Sequence, residues 1–384
     1  MSKRTEPRTV LELKIRERRQ TYEEFVEFAE RFAREHGEVG TLSLRHLQRL
    51  AAGRRSNNRP LGPVQPPTAR LLERIFGVPI AVLLGPPTAV PASDETAALD
   101  AELRLRLGAS RRIDAVTLDL MAWQLDALRR LDRQLGAEAT YHEVTAKAEQ
   151  LAALLTHSLT PATRSRLAEL LAHARALAGW AALDLGRLTQ SWQHHEQAKT
   201  AAHESDSAAL LAHATAQQAV ILIDLGERDA AVSQLGTARD LTTAAPPLLT
   251  AWLAAAHGEG LASAGNRTEA LRAFDAADAC LPPNPAEPVL PFLFLDEAHL
   301  HRWRGHAMSV LRDPEAPAVL GDALRRLDPT FTRAEAGLRA DLATALIARG
   351  RLDEAREHAG HAWRLATEIG SRRHLARLRA LTLA

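Results

Sequence analysis

The residues best suited to a chemical role form a basic stretch near the start of the chain. No acidic residue occurs between Glu38 and Glu73, whereas six arginines do: Arg45, Arg49, Arg54, Arg55, Arg59 and Arg70. Arginine pairs with guanine and neutralises phosphates, and glutamine pairs with adenine. The stretch therefore indicates contact with a polyanion, of which double-stranded DNA is the best candidate.

A short helix within this stretch would present the base-reading side chains. Leu44, Leu47 and Leu50 recur every three residues and share one apolar face. Ser43 is a suitable N-cap and Gly53 a suitable C-terminal stop. The outward-facing residues are Arg45, His46, Gln48 and Arg49. We predict that they lie in the major groove, while Arg54, Arg55 and Arg59 contact phosphates.

Four further short helices are expected around this one. A capping box at Thr21 and Glu24 opens a helix through Phe32. Others are expected over residues 10–15, 67–76 and 80–84. From about Thr9 to Gly85 this order resembles regulators of the XRE or Cro-repressor type. The resemblance implies a five-helix, lambda-repressor-like helix-turn-helix domain with the Ser43 helix as recognition helix. It also implies a phosphate contact at Tyr22, where the family commonly has glutamine.

Charge and composition restrict the class of protein. Residues 1–87 hold 16 Lys and Arg against 10 Asp and Glu, a net +6, and since the whole chain is +1 the remainder is −5. The single Cys280 excludes a disulfide framework and fits a reducing cytoplasm. The N-terminus has no apolar signal core, and we expect no membrane span. The alternative for the basic stretch is a charged surface of a protein-binding domain.

The pattern divides the chain into four segments. The basic domain covers 1–85, a proline-rich linker 86–94, a helical connector 95–160 and a repeat domain 161–384. In the connector we expect helices over Ser110–Leu135 and Tyr141–Leu155. They are candidates for a capping or dimerisation element.

The repeat domain is indicated by glycines at intervals of 40, 39, 40 and 45 residues: Gly186, Gly226, Gly265, Gly305 and Gly350. A small residue stands seven positions before each glycine. From Pro161 to Ala384 the pattern resembles the tetratricopeptide repeat, which implies an all-α solenoid of helix pairs with each glycine at the turn. An ordinary helical bundle is the alternative.

By this resemblance, the first helix of each pair lines a concave groove. The groove residues we predict to bind an effector are His173, Trp180, Asp184, His213, Asp224, Trp252, Glu259, Phe292, His299, Arg302 and Trp303. Aromatic side chains with three acids and one arginine favour a ligand with apolar groups and a positive charge, such as a short peptide. Alternatively, the tryptophans pack between repeats.

The chain lacks the common catalytic motifs, so we expect no enzyme, cofactor or metal. Glu354, His358 and His361 share a helix face but suit a solvated surface better than a metal site. The sequence thus predicts a cytoplasmic, homodimeric transcriptional regulator that senses a small effector or peptide. The alternative is a protein-interaction scaffold whose repeats bind a partner protein.

Overall fold

The protein is all-α, as the sequence predicts. The computed structural model describes residues 7–53, 61–62, 64–87, 94–242, 245–283 and 293–381, without the side chains of 94–98. These residues form nineteen α-helices and no strand. The chain divides into two compact units, Met1–Leu103 and Arg104–Ala384. This division lies inside a helix, α6 (Asp94–Arg111). The four segment boundaries expected from the sequence stay predictions.

The first unit contains five short helices around one apolar core. They are α1 (Val10–Glu17), α2 (Tyr22–Glu35), α3 (Leu44–Ala52), α4 (Pro66–Phe76) and α5 (Ile80–Leu83). The expected capping box is present, since the Thr21 side chain accepts from the Glu24 N–H and the Glu24 carboxylate accepts from the Thr21 N–H. Phe25 at the centre of the core is fully buried and stacks on Phe76. The core therefore fixes α2 against the helices that flank it.

The second unit begins with a break that the sequence analysis missed. The single helix expected over Ser110–Leu135 is wrong, because α6 ends at Arg111 and α7 spans Ala115–Leu135. Asp114 is the N-cap of α7, and its carboxylate accepts from the Thr117 N–H at 2.8 Å. The following helix, α8 (Ala137–Thr156), contains the expected Tyr141–Leu155 segment.

Stacked helix pairs make up the rest of this unit, so the predicted α-solenoid is confirmed. Each pair buries its apolar face against its neighbours. The pairs are α9 (Pro161–Asp184) with α10 (Leu188–Glu204), α11 (Ala208–Leu225) with α12 (Arg228–Asp240), α13 (Pro247–Ser263) with α14 (Arg267–Cys280), α15 (Glu297–Val310) with α16 (Ala316–Arg326), and α17 (Thr332–Ile347) with α18 (Leu352–Glu368). One more helix, α19 (Arg372–Arg379), follows.

The turn assigned to the fourth pair is wrong. Gly186, Gly226, Gly265 and Gly350 do occupy turns with positive φ. Gly305, however, lies inside α15, where a Cβ would meet the Leu320 side chain at 2.6 Å. The turn comes seven residues later at Arg312, which has φ 56°. The sequence analysis failed because a non-glycine residue takes the left-handed conformation there.

The two ends of the stack meet. Arg333 of α17 donates to Asp132 of α7 at 2.6 and 2.8 Å and to Asp184 of α9 at 2.9 Å. The Ser371 hydroxyl donates to Asp184 at 2.5 Å. Gly136, with φ 84°, packs so closely that a Cβ would lie 2.2 Å from the Ile369 carbonyl oxygen. We call Asp132, Asp184, Asp224, Arg333, Ser371 and Arg373 the closing seam, because they join the first helices of the unit to the last.

One described helix, α11, is long and apolar enough by length and composition to cross a membrane. Half of it is buried inside the unit. It packs between α9 and α13, as a core helix of a repeat stack does.

Candidate functional sites

The helix α3 has the caps and the apolar face that the sequence predicts. The Ser43 hydroxyl accepts from the His46 N–H at 3.3 Å, and Gly53 ends the helix with φ 68°. Leu47 and Leu50 are buried in the core of the first unit. This packing fixes which face of α3 is presented to solvent.

The solvent face of α3 carries the predicted base-reading residues. Arg45, Gln48 and Arg49 are exposed, and the structure gives their side chains no hydrogen bond or ion pair among the described residues. His46 is half-buried, and its pKa is lowered by burial and by Arg49. Three long donor side chains without internal partners are available to an external acceptor.

Tyr22, the predicted phosphate contact, lies where a bound phosphate is less favourable. It packs against the core of the first unit. Burial and the adjacent Glu12 carboxylate raise the pKa of its hydroxyl. A neighbouring carboxylate disfavours a phosphate at the same position. The three other predicted phosphate contacts, Arg54, Arg55 and Arg59, lie outside the described residues.

The second candidate site is a cavity of about 560 Å³ in the second unit. Its wall is formed mainly by the first helix of each pair, together with α7 and α19. Of the predicted groove residues, nine line it: His173, Trp180, His213, Asp224, Trp252, Glu259, His299, Arg302 and Trp303. A volume of this size is typical of sites for small ligands.

Two predicted groove residues do not fit this description. Asp184 is buried in the closing seam, where Arg333 and Ser371 occupy its carboxylate, so its assignment to an effector is wrong. Phe292 lies outside the described residues. The remaining nine come from four different helices, and the structure brings them to one wall.

The charge expected for the site is wrong. The sequence predicts a mostly acidic cleft, but the cavity is lined by seven arginines against four acids. The acids are Asp132, Asp224, Glu259 and Asp341, and the arginines are Arg129, Arg133, Arg228, Arg302, Arg333, Arg373 and Arg377. The six additional arginines come from α7, α12, α17 and α19, and of these helices the sequence analysis placed only α17 at the groove.

Each of the four acids has a cationic or histidine partner. Arg373 binds Asp224 through two contacts of 2.7 and 2.8 Å. Arg377 and His306 both contact Asp341. Burial alone would raise the pKa of Asp341, but these two partners hold it below its usual range. The acids therefore serve the protein itself and leave little negative charge for a ligand.

Two groups of aromatic rings form the apolar part of the wall. Trp252 lies edge-on to Trp303 with ring centroids 5.7 Å apart, and His213 lies 4.8 Å from Trp252. Phe294 and Phe331 flank His299 with centroids 4.9 and 4.6 Å away. We call Phe294, His299 and Phe331 the aromatic trio. The trio includes two rings that the sequence analysis missed.

Within the aromatic trio, His299 has one bonded and one unbonded ring nitrogen. Its Nδ1 lies 2.9 Å from the Asp296 carboxylate, whereas its buried Nε2 has no hydrogen-bond partner in the described part of the chain. Burial lowers the pKa of His299, with Arg302 and Arg133 adding to the effect. A neutral ring that donates from Nδ1 to Asp296 presents Nε2 as an acceptor.

The register of the fifth pair also differs from the prediction. By the tetratricopeptide resemblance, the groove positions of the fifth pair are Thr344 and Ile347, but neither residue lines the cavity. The cavity instead receives Arg333, Gly337 and Asp341 from α17. No group of three or more His, Cys, Asp or Glu side chains that could hold a metal ion occurs in the described part of the chain.

Comparison with known proteins gives little on identity. No family model matches the chain, and no curated protein matches it. Among solved structures, the chain is similar to "Crystal Structure of Rap Protein Complexed with Competence and Sporulation Factor". The TM-score is 0.45 at 14% identity, covering 68% of this chain and 80% of that one.

Proposed function

We propose that the protein is a sequence-specific DNA-binding transcriptional regulator whose repeat unit binds an effector. The observation that carries the DNA-binding part is the solvent face of α3. Arg45, Gln48 and Arg49 are exposed there, on a short helix whose opposite face is buried. Such a helix suits the major groove, where arginine and glutamine recognise guanine and adenine.

The cavity supports the sensing part. It is bounded by helices from both ends of the stack, so a ligand that contacts α7 and α19 together would favour the closed arrangement. A ligand shifts an equilibrium only when it binds two arrangements with different affinity. We infer that the effector acts by changing the population of the closed stack, and a short peptide or a small molecule would suffice for this.

We further propose that the regulator is a homodimer that binds paired half-sites. The support is an unpartnered apolar stripe on α7, the helix that the sequence nominates as an interface. Val116, Leu120, Trp123 and Leu131 are 66%, 51%, 69% and 40% exposed. Their spacing of three, four and eight residues places them on one face of the helix.

The experiment that tests DNA binding is selection from a random duplex library, followed by gel shift on the selected sequence. The triple variant Arg45→Ala, Gln48→Ala, Arg49→Ala should lose sequence preference. The control is the double variant Arg356→Gln, Arg364→Gln, which removes two exposed positive charges from α18 as the triple variant removes two from α3. If the wild-type protein selects no sequence, the regulator is excluded and the scaffold that binds a partner protein becomes the better hypothesis.

A further inference from the structure

We infer that the cavity selects a peptide-like carboxylic acid: a carboxylate bound by Arg302 and Arg133, attached to an apolar group and an N–H donor. This inference deepens the proposed function by naming the chemical class of its effector. It replaces the positively charged ligand that the sequence suggested. Three observations support it, from the charges, the unpartnered polar atoms and the aromatic walls.

The first observation is an excess of unpaired arginines. Arg333, Arg373 and Arg377 form ion pairs with acids that line the cavity. Arg133 and Arg302 have no carboxylate within ion-pair distance among the described residues. Burial lowers the pKa of Arg302, and the acids whose charge opposes this, Glu259 and Asp341, already contact His306 and Arg377. Both arginines are half-buried, so part of their charge is removed from water, and an anionic ligand would offset that cost.

The second observation is the set of polar atoms that lack partners. The Nε of Arg302 is buried and has no hydrogen-bond acceptor among the described residues. His299 Nε2 and Gln217 Oε1 are buried acceptors that are also without partners. Buried polar groups of this kind are normally satisfied. A ligand that both accepts from Arg302 and donates an N–H would complete them.

The third observation is the position of the aromatic rings next to these groups. The Arg133 guanidinium carbon lies 5.5 Å from the Phe294 ring centroid and 5.4 Å from that of Phe331. The Arg302 guanidinium carbon lies 5.9 Å from the Trp303 ring centroid. Each arginine is therefore held beside an apolar surface. A carboxylate bound there would place its attached apolar group against Trp252 and Trp303 or against the aromatic trio.

A matched set of probes tests the sign of the charge. The fluorescent anion 8-anilinonaphthalene-1-sulfonate is bound to the full-length protein and displaced by N-acetyltryptophan, by N-acetyltryptophanamide or by tryptamine. These three share an indole and differ in carrying a negative, a neutral or a positive group. We expect the acid to displace the probe at a concentration at least about tenfold lower than the amide, and tryptamine to be the weakest. Arg302→Gln should weaken the acid by about 10–100-fold and leave the amide unchanged.

Arg133→Gln is the second variant, expected to act in the same direction. Arg302→Lys keeps the charge without the planar fork and should restore part of the preference. Arg364→Gln is the matched control, and thermal melting verifies that each variant is folded. Equal displacement by acid and amide, stronger displacement by tryptamine, or no displacement would overturn the inference. DNA selection uses the ligand-free protein, so its outcome does not depend on these displacement measurements. Failure of the proposed DNA binding is therefore distinguishable from failure of the carboxylate inference.

Discussion

The helix α3, which we propose reads DNA, and the cavity of the second unit both carry arginines, in opposite surroundings. Arg45 and Arg49 are exposed, so their side chains are free to adjust to the base pairs of the proposed DNA site. Arg333 is buried and Arg302 half-buried within the repeat unit, where a charged group is stabilised by a fixed partner. For Arg333 that partner is a pair of carboxylates of the same chain, and for Arg302 we infer that it is the ligand. Under these proposals the same type of side chain supplies adaptability on one unit and selectivity in the other.

The largest expected effect comes from the interior. Arg333→Ala should lower the free energy of unfolding by about 3–5 kcal/mol, because Asp132 and Asp184 would stay buried without a counter-ion. Urea denaturation followed by circular dichroism measures this. The control is Arg356→Ala, which removes an exposed ion pair with Asp353 and should cost about 0–1 kcal/mol. A loss below about 1 kcal/mol for Arg333→Ala would show that the closing seam does not stabilise the unit.

The next effect concerns the apolar stripe on α7. Leu120→Glu should convert a dimer into a monomer, since a carboxylate at an apolar interface costs about 3 kcal/mol or more, on the order of 100-fold in the dissociation constant. Light scattering at micromolar concentration gives the mass. Leu159→Glu, at a leucine that is 66% exposed and lies outside α7, is the control and should stay dimeric. A wild-type protein that is already monomeric, with and without DNA, would refute the dimer.

On the exposed surface the expected effect is smaller. Arg49→Ala should cost about 1–3 kcal/mol at the selected site and relax the base preference at one position. Arg55→Ala, by contrast, should weaken binding to all sequences alike and reduce the salt dependence. Fluorescence anisotropy at several salt concentrations separates the two. Equal losses on selected and random DNA for both variants would contradict the assignment of α3 as the base-reading helix.

The smallest effect is a pH dependence of the repeat unit. Burial lowers the pKa of His195 to about 3, against about 6.5 in the unfolded chain. The unfolded state therefore takes up a proton first as the pH falls below about 6.5, and stability is lost from there down to the folded pKa. His195→Phe should reduce the loss between pH 7 and pH 5 by about 1–2 kcal/mol. Phenylalanine suits this position, because Phe274 occupies the equivalent place in the third pair, nine residues after its turn glycine.

The measurement is the urea midpoint at both pH values. His203→Phe, at an exposed histidine of the same helix, is the matched control. It should leave the change of the urea midpoint between the two pH values as it is in the wild-type protein. If His195→Phe shows the wild-type slope, another group dominates the acid sensitivity of the unit.

Local signals in the sequence predicted the local structure well. Ser43 and Gly53 bound α3, and Thr21 and Glu24 open α2, because caps act within a single turn of helix. The spacing of small residues and glycines predicted the solenoid because each repeat packs against the repeats next to it in the chain. DNA binding, the dimer and the effector stay predictions, since the fold of the backbone does not determine any of them.

What the sequence did not reveal depends on contacts distant along the chain. Arg333 meets Asp132 from 201 residues away, and no repeat pattern records such a pairing. The positive charge of the cavity was missed because Arg129, Arg133 and Arg377 lie outside the five predicted inner helices. The turn at Arg312 was missed because arginine is a rare residue for the left-handed conformation.

The closing seam also has a consequence for synthesis on the ribosome. Asp132 is made 201 residues before Arg333. At about 5–20 residues per second, it waits roughly 10–40 s for its partner. Until Arg333 is made, Asp132 and Asp184 lack this counter-ion and would be costly to bury. The nascent chain therefore acquires its repeats in order and its binding cavity only at the end, when the last helices emerge.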